Sequence, residues 1–373
     1  MPNPPSGLSH LASLLLVLAT VTPGLAGELS LLRVLSSEED LLRVETLPDG
    51  GFHVLHHEGA YLLDLDGRRT ALLSSTPTQR VFLGDSGTYF GRATFRSGAA
   101  DFAPAVRFEL YRTGVGMQWE INEIDDVSFA VSALGTVVGL DMNINRPERN
   151  ALHFYGAGGE LMVEVRVPHL LGGRFSADGA MFFAQSATDG MVALSKDGVV
   201  WWRHPDVRVF AATPHGDVVA MITGDAIEVV RDGSVTASRD LKKLLVRRIA
   251  VSSDAERIAV VGRDELRVFD DALRVVWSRS LAGTDLAFTS VDIGAAEGWL
   301  LTGVARDLGR SVPVQARHPD GRIQVWDSVG NLCHETTLAF EEWNIFTPTV
   351  CIDASGTWAT VTTRRAVCRL DLP

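Results

Sequence analysis

The sequence predicts an all-β fold, a β-propeller of eight four-stranded blades, on three observations. Short runs rich in Val, Ile, Leu, Phe and Trp alternate with Asp/Ser/Gly turns along the chain of 373 residues. A unit of four such runs recurs from end to end. The two ends are complementary, because the last unit has three strands and a spare strand, Leu29–Leu35, precedes the first.

The unit is clearest in the middle of the chain. "GRFSADGAMFFAQSATDGMVALSKDGVVWWRH" is the fourth; "VFAATPHGDVVAMITGDAIEVVRDGSVTASR" is the fifth; "RIAVSSDAERIAVVGRDELRVFDDALRVVWSRS" is the sixth. The seventh enters through "DLAFTSVDIGAAEGWLLTGVA" and ends in "GRIQVWDSVGNLCHE". Weaker units open at "VETLPDGGFHVLHHEG", "RVFLGDSGTYFGRATF" and "VSFAVSALGTVVGLDMN", and the last is "TPTVCIDASGTWATVTTRRAVCRLDL". First turns close at Gly50, Gly87, Gly135, Gly179, Gly216, Ala255, Gly298 and Gly356. Those steps lie near the about 40–50 residues of a propeller blade. The count is eight, or seven if the second or third unit is misread. Asp-Gly, Gly-Gly and Thr-Gly pairs are expected to form two-residue hairpin turns with positive φ. "SRDLKKLLVRR" is the nearest approach to a helical period, and it is short.

The eighth unit is expected to stop after Thr349–Asp353, Thr357–Thr363 and Ala366–Asp371. The spare N-terminal strand would then pair outside the third of these, near Cys368, closing the ring and covering an exposed edge. The predicted organisation is a leader over 1–26 and one propeller domain over 28–373.

The leader reading rests on residues 1–27, which hold no Lys, Arg, Asp or Glu. The apolar "LASLLLVLATV" precedes "TPGLAGE", with small Gly24 and Ala26 before a cleavage point. The expected setting is export, periplasmic or secreted, with no transmembrane span after cleavage. A formal charge of −12 argues against nucleic acid, which needs a basic patch. The three cysteines, Cys333, Cys351 and Cys368, match no metal spacing. Cys351 and Cys368 fall on the first and third strands of one sheet, about 9.6 Å apart at the usual strand spacing. That exceeds the about 7 Å a disulfide tolerates, so both are expected as buried thiols.

Three units share a third strand ending in Asp or Gly and a fourth carrying Trp. They are "MVALSKDGVVWWRH" with Trp201, "YRTGVGMQWEI" with Trp119 and "LRVFDDALRVVWSRS" with Trp277. In this the chain resembles the pyrroloquinoline-quinone-type propellers, the quinoprotein dehydrogenase-like superfamily. WD40 repeats fit less well, since Trp326-Asp327 is the one such pair and is read as incidental. The resemblance implies the fold and an exported setting. Enzymes of that superfamily hold their quinone with calcium ligands, a stacking Trp and adjacent cysteines; this chain has no adjacent cysteines, so the activity is not carried over and no cofactor is expected.

Alternate connections of a propeller blade lie on opposite faces. The first-to-second and third-to-fourth turns are tight. The other connections include the long loops Phe95–Ala105, Asp141–Asn150, Ala305–Gly321 and Ala339–Thr349. The long-loop face is the expected binding surface for a protein or cell-envelope polymer. Its candidate residues are Arg146, Glu148 and Arg149, then Arg306, Asp307, Arg310, Arg317 and His318, then Trp343 and Phe346 with Phe340 beside them; Trp and Arg are frequent hot spots. Trp343 and Phe346 serve equally well as plugs between blades.

Two metal readings are weaker. "DMNIN" places Asp141, Asn143 and Asn145 at calcium-loop spacing, but Arg146 replaces the expected glycine and a solvated loop is favoured. His53, His56, His57 and Glu58 lie on a strand, whose alternation lets at most two converge. The alternative function is an enzyme in the central funnel, a quinone- or metal-dependent oxidoreductase or a lyase or lactonase. Acidic or His side chains converging there would favour it, and an apolar plug would favour a binder.

Overall fold

The computed structural model describes residues 31–36, 41–46, 51–56, 59–74, 76, 78–84, 87–96, 103–242, 244–295, 298–306, 321–338, 348–353, 355–363 and 366–372. Eight antiparallel sheets of four strands each follow one another along the chain. They are numbered here as blades 1–8, spanning 41–74, 79–122, 128–166, 170–204, 207–240, 248–280, 286–338 and 349–371. The weaker second and third units are full four-stranded sheets, so the blade number is eight. Among the described residues the one helical element is a 3₁₀ turn at Pro147–Arg149.

Seven blades are plain meanders. In the eighth, strands Thr349–Ile352, Trp358–Thr362 and Ala366–Asp371 are joined by Leu31–Ser36, which takes the fourth position antiparallel to Ala366–Asp371. Arg33 stands opposite Cys368 in that pairing.

The core is divided among the seams between blades. Val218, Ile227 and Phe269 join blades 5 and 6. Phe154, Phe182 and Leu194 join blades 3 and 4. Phe52, Val54 and Leu63 of blade 1 meet Trp358 and Val367 of blade 8, so the last seam is packed like the others. Phe52 and Trp358 meet edge to face with centroids 6.3 Å apart. A lone sheet has two apolar faces and cannot bury either; stacking neighbours in a ring buries both.

The two-residue hairpin expectation holds at Asp232-Gly233, where both residues have positive φ, but the first turns are longer and share a second arrangement. Gly135 N–H donates to the Ser132 carbonyl at 3.2 Å, and Ser132 N–H to the Thr136 carbonyl at 2.9 Å. In blade 3 the loop has three residues, and only the last has positive φ. Gly87, Gly179, Gly216 and Gly356 likewise stand third after the residue that opens the turn, as does Ala255 at φ 61°. Their loops are one residue longer, as where Thr213 N–H donates to the Val218 carbonyl at 3.0 Å. Gly298 does not, and Gly50 lies outside the described residues. A buried hydroxyl braces the loop: Ser176 Oγ accepts from Met181 N–H at 3.0 Å, and Ser252 Oγ from Arg257 N–H at 2.9 Å. Asp353 does the same for Trp358 N–H at 3.0 Å.

The fourth strands hold a second repeated device. In blades 2–7 each is paired to the third through a one-residue bulge at the same place, and in blade 1 the bulge lies two residues farther from the turn. The residue after the bulge turns onto the next blade. Trp119 lies against Gly159, Trp202 against Gly233 and Trp277 against Gly330. In blade 4 the seated residue is therefore Trp202; Trp201, assigned to that place from sequence, is the bulged residue and is 54% exposed. The bulge inverts the in–out alternation that a strand would otherwise keep.

Cys351 and Cys368 stand on the first and third strands of blade 8, with Trp358–Thr362 between them. Cys368 is buried but Cys351 is exposed, against the expectation for the pair, because Cys351 lies on the solvent-exposed alternate positions of the first strand.

Candidate partner-binding face

Connections between second and third strands, and between blades, share one face of the ring; tight turns share the other. Among the described residues the best-defined long connection is 142–150 in blade 3. Pro147–Arg149 makes one 3₁₀ turn, with Arg149 N–H donating to the Arg146 carbonyl at 2.9 Å. Asn143 Oδ1 accepts from the backbone N–H of Asn145 at 3.0 Å and Arg146 at 3.1 Å. Buried Asn150 donates its N–H to the Pro147 carbonyl at 3.3 Å and accepts Asn143 N–H on its Oδ1 at 2.8 Å. Two bonds strap the loop to the blade 3–4 connection: His169 N–H to the Pro147 carbonyl at 2.7 Å and Val167 N–H to the Asn150 carbonyl at 3.0 Å. Arg146, Glu148 and Arg149 all project into solvent from this braced backbone.

Of the other candidates, Arg306 ends the second strand of blade 7, is exposed, and donates to Asp285 at 2.5 Å. Asp307, Arg310, Arg317 and His318 fall outside the described residues, as do Phe340, Trp343 and Phe346. For the "DMNIN" residues, Asn143 Oδ1 is turned into its own loop, while Asp141 pairs with Ala151 on the strand. His53 is wholly buried, His56 stacks at a tilt on Tyr61 with centroids 5.3 Å apart, and His57 and Glu58 lie outside the described residues.

One polar cluster beneath this face escaped the sequence reading. Asp126, fully buried, accepts from His153 Nδ1 at 2.7 Å and from the Tyr155 hydroxyl at 2.6 Å. Gly139 makes room for it, since a Cβ there would lie 2.0 Å from Asp126 Oδ2. The hydrogen bond to Asp126 raises the His153 pKa, with Asp126 and Asp141 charge adding to it. Burial raises the Asp141 carboxyl. The bond from His153 to the buried Asp126 side chain ties down the 123–127 connection, whose Asp126 carbonyl also accepts Ala105 N–H at 2.8 Å. No spacing in the sequence signals a contact between residues 29 apart.

The first strands of neighbouring blades pack on one another and form the hub. Arg43, Arg174 and Arg248 are exposed there, on blades 1, 4 and 6. Arg174 lies 4.3 Å over the Phe210 ring and donates to the Phe210 carbonyl at 3.0 Å, sealing the seam between blades 4 and 5. Among the described residues no group of three His, Cys, Asp or Glu is placed to hold a metal ion. No described helix is long and apolar enough to cross a membrane.

Trp326 and Asp327 have local tasks. The Trp326 indole donates to Thr302 Oγ1 at 3.0 Å, and the Asp327 carboxylate accepts from Val329 and Asn331 N–H in the turn that follows.

This architecture defines an eight-bladed β-propeller, and solved structures of WD40 type share it. The C-terminal WD40 domain of Sif2 is similar at TM-score 0.61 and 10% identity, over 92% of this chain and 98% of that one. Saccharomyces cerevisiae Sqt1 is similar at 0.60 and 10%, over 91% and 97%. The Dos1 propeller gives 0.59 and 10%, over 90% and 93%. At that identity the likeness is one of fold. No protein-family model and no curated protein sequence matches the chain.

Proposed function

We propose that this chain is an exported, non-catalytic scaffold that binds a protein or cell-envelope partner through its long-loop face. β-Propellers of this type are typically protein-interaction scaffolds. The observation that carries the reading is the strapped 142–150 loop. Backbone bonds fix the loop from which the exposed Arg146, Glu148 and Arg149 project, which lowers the backbone ordering cost of binding. Asp307, Arg310, Arg317, His318, Trp343 and Phe346 are proposed to complete that face. The leader over 1–26 is proposed to be removed on export. Kinship with quinoprotein-type repeats is supported by the recurrence of a fourth-strand Trp seated on a third-to-fourth turn glycine.

The test is affinity capture from the native cell envelope, comparing wild type with Arg146→Ala/Glu148→Ala/Arg149→Ala and with Arg310→Ala/Arg317→Ala. A protein captured by wild type and lost with these variants is expected. Unchanged capture by both variants overturns the face assignment. A mature mass starting at Met1 overturns the export reading.

A further inference from the structure

The tight-turn face carries a surface of its own. Many of the exposed large apolar side chains sit where fourth strands begin, on the outer rim at that face. Leu161 and Met162 lie there in blade 3, Val199, Val200 and Trp201 in blade 4, and Val235 in blade 5. The seating device explains them. In blades 3 and 4 the bulge turns one residue inward onto the neighbouring glycine and leaves the residue before it exposed, as with Met162 before Val163 and Trp201 before Trp202. The same device makes the strip continuous. Val163, next to Met162, reaches the Gly198 turn that Val199 follows; Trp202, next to Trp201, reaches the Gly233 turn that precedes Val235.

Charge decides what can cover the strip. The tight turns of blades 3–5 carry Glu160, Asp178, Asp197, Asp217 and Asp232 against Lys196, which pairs with Asp197 at 2.7 Å, and His215, which pairs with Asp178 at 2.9 Å, so the carboxylates outnumber the cations. A second copy would bring the same carboxylates together within a protein of charge −12, and an anionic lipid surface would be repelled in the same way. A basic partner with one apolar side satisfies both the apolar strip and the acidic border. We infer that the rim of blades 3–5 is a docking strip for a cationic amphipathic segment of another protein. It is separate from the long-loop face and does not depend on that assignment.

The probe is a labelled Leu/Lys amphipathic peptide of about 18 residues, about 27 Å long as a helix. A Leu/Glu peptide of the same pattern and vesicles of anionic phospholipid serve as comparisons. Binding is followed by fluorescence anisotropy with the full propeller. The Leu/Lys peptide is expected to bind and to weaken about tenfold or more with Trp201→Ser, because an exposed Trp at the centre of a strip is its anchor. Val235→Ser and Glu160→Gln/Asp232→Asn are expected to weaken it as well. Arg146→Ala/Arg149→Ala is expected to leave it unchanged. Thermal unfolding checks that each variant is folded, and Val235→Ser carries the test if Trp201→Ser is not. The inference is overturned if no peptide binds, if the Leu/Glu peptide binds equally, or if the strip variants bind like wild type. Preference for the vesicles, or self-association removed by Trp201→Ser, overturns it too.

Discussion

The Trp277 indole of blade 6 rests on Gly330 of blade 7, and its Nε1 donates to the Ser328 carbonyl at 3.2 Å. A Cβ on Gly330 would come within 2.5 Å of the ring, and Gly330 has φ +86°. Arg279 adds a bond to the Gly330 carbonyl at 2.5 Å. The seam thus needs both the absent side chain and the left-handed backbone. Gly330→Ala is expected to cost about 2–4 kcal/mol, combining αL strain with overpacking. Gly283→Ala, at φ +84° with no neighbour near its Cβ, is expected to cost only the strain, about 1–2 kcal/mol. Urea midpoints at constant slope separate the two.

Adjacent tryptophans in blade 4 should behave oppositely. Trp202→Ala empties the seat against Gly233 and Phe183 and is expected to destabilise by about 3 kcal/mol. Trp201→Ala alters an exposed side chain and is expected to stay within about 0.5 kcal/mol of wild type. Equal losses in the two thermal unfolding curves would remove the bulge from the account.

His53 is buried at the seam of blades 1 and 2, edge-on to Phe90 at 5.4 Å, with neither ring nitrogen hydrogen-bonded. Burial lowers its pKa from 6.5 to about 4. Its folded value is the depressed one, so its contribution to stability is present above 6.5 and is lost as pH falls toward about 4. His53→Phe is expected to stabilise the protein by about 1–2 kcal/mol at neutral pH, because two unsatisfied polar atoms are removed. Its stability should also fall less between those pH values, as measured by denaturant unfolding across the range.

His153 has the opposite sign. Its hydrogen bond to Asp126 raises the folded pKa, so its contribution is present below the unfolded value of 6.5 and lost as pH rises through the folded one. His153→Gln is expected to flatten stability on that alkaline side. Asp126→Ala leaves His153 and Tyr155 without their acceptor and is expected to cost about 3–5 kcal/mol. Side-chain NMR of His153 should place its titration above that of an exposed histidine in wild type and nearer to it in Asp126→Asn.

Leu31–Ser36 covers the edge of Ala366–Asp371. A chain begun at residue 37 would leave that edge open, a template for pairing with other chains. A lower melting temperature and concentration-dependent association in sedimentation are expected. A truncated chain that stays monomeric with unchanged stability would show that this strand does not latch the ring.

What was legible in the sequence was the local content: eight runs of strand, turn and strand, the three-strand remnant at Thr349–Asp371, and the side of the ring that carries long connections. These rest on residue types within a few positions of one another, where β-branched runs and Asp/Ser/Gly punctuation are sufficient. The exposed candidates Arg146, Glu148 and Arg149 were readable for the same reason, because a long loop shows itself as a gap between strands. Tertiary structure alone decided that Trp202 and not Trp201 is seated, that Cys351 is exposed, and that Asp126 meets His153 and Tyr155. Each depends on a contact with another strand or blade. A bulge stabilised by a neighbour's glycine shifts the alternation by one residue, and no feature within the strand itself carries that shift.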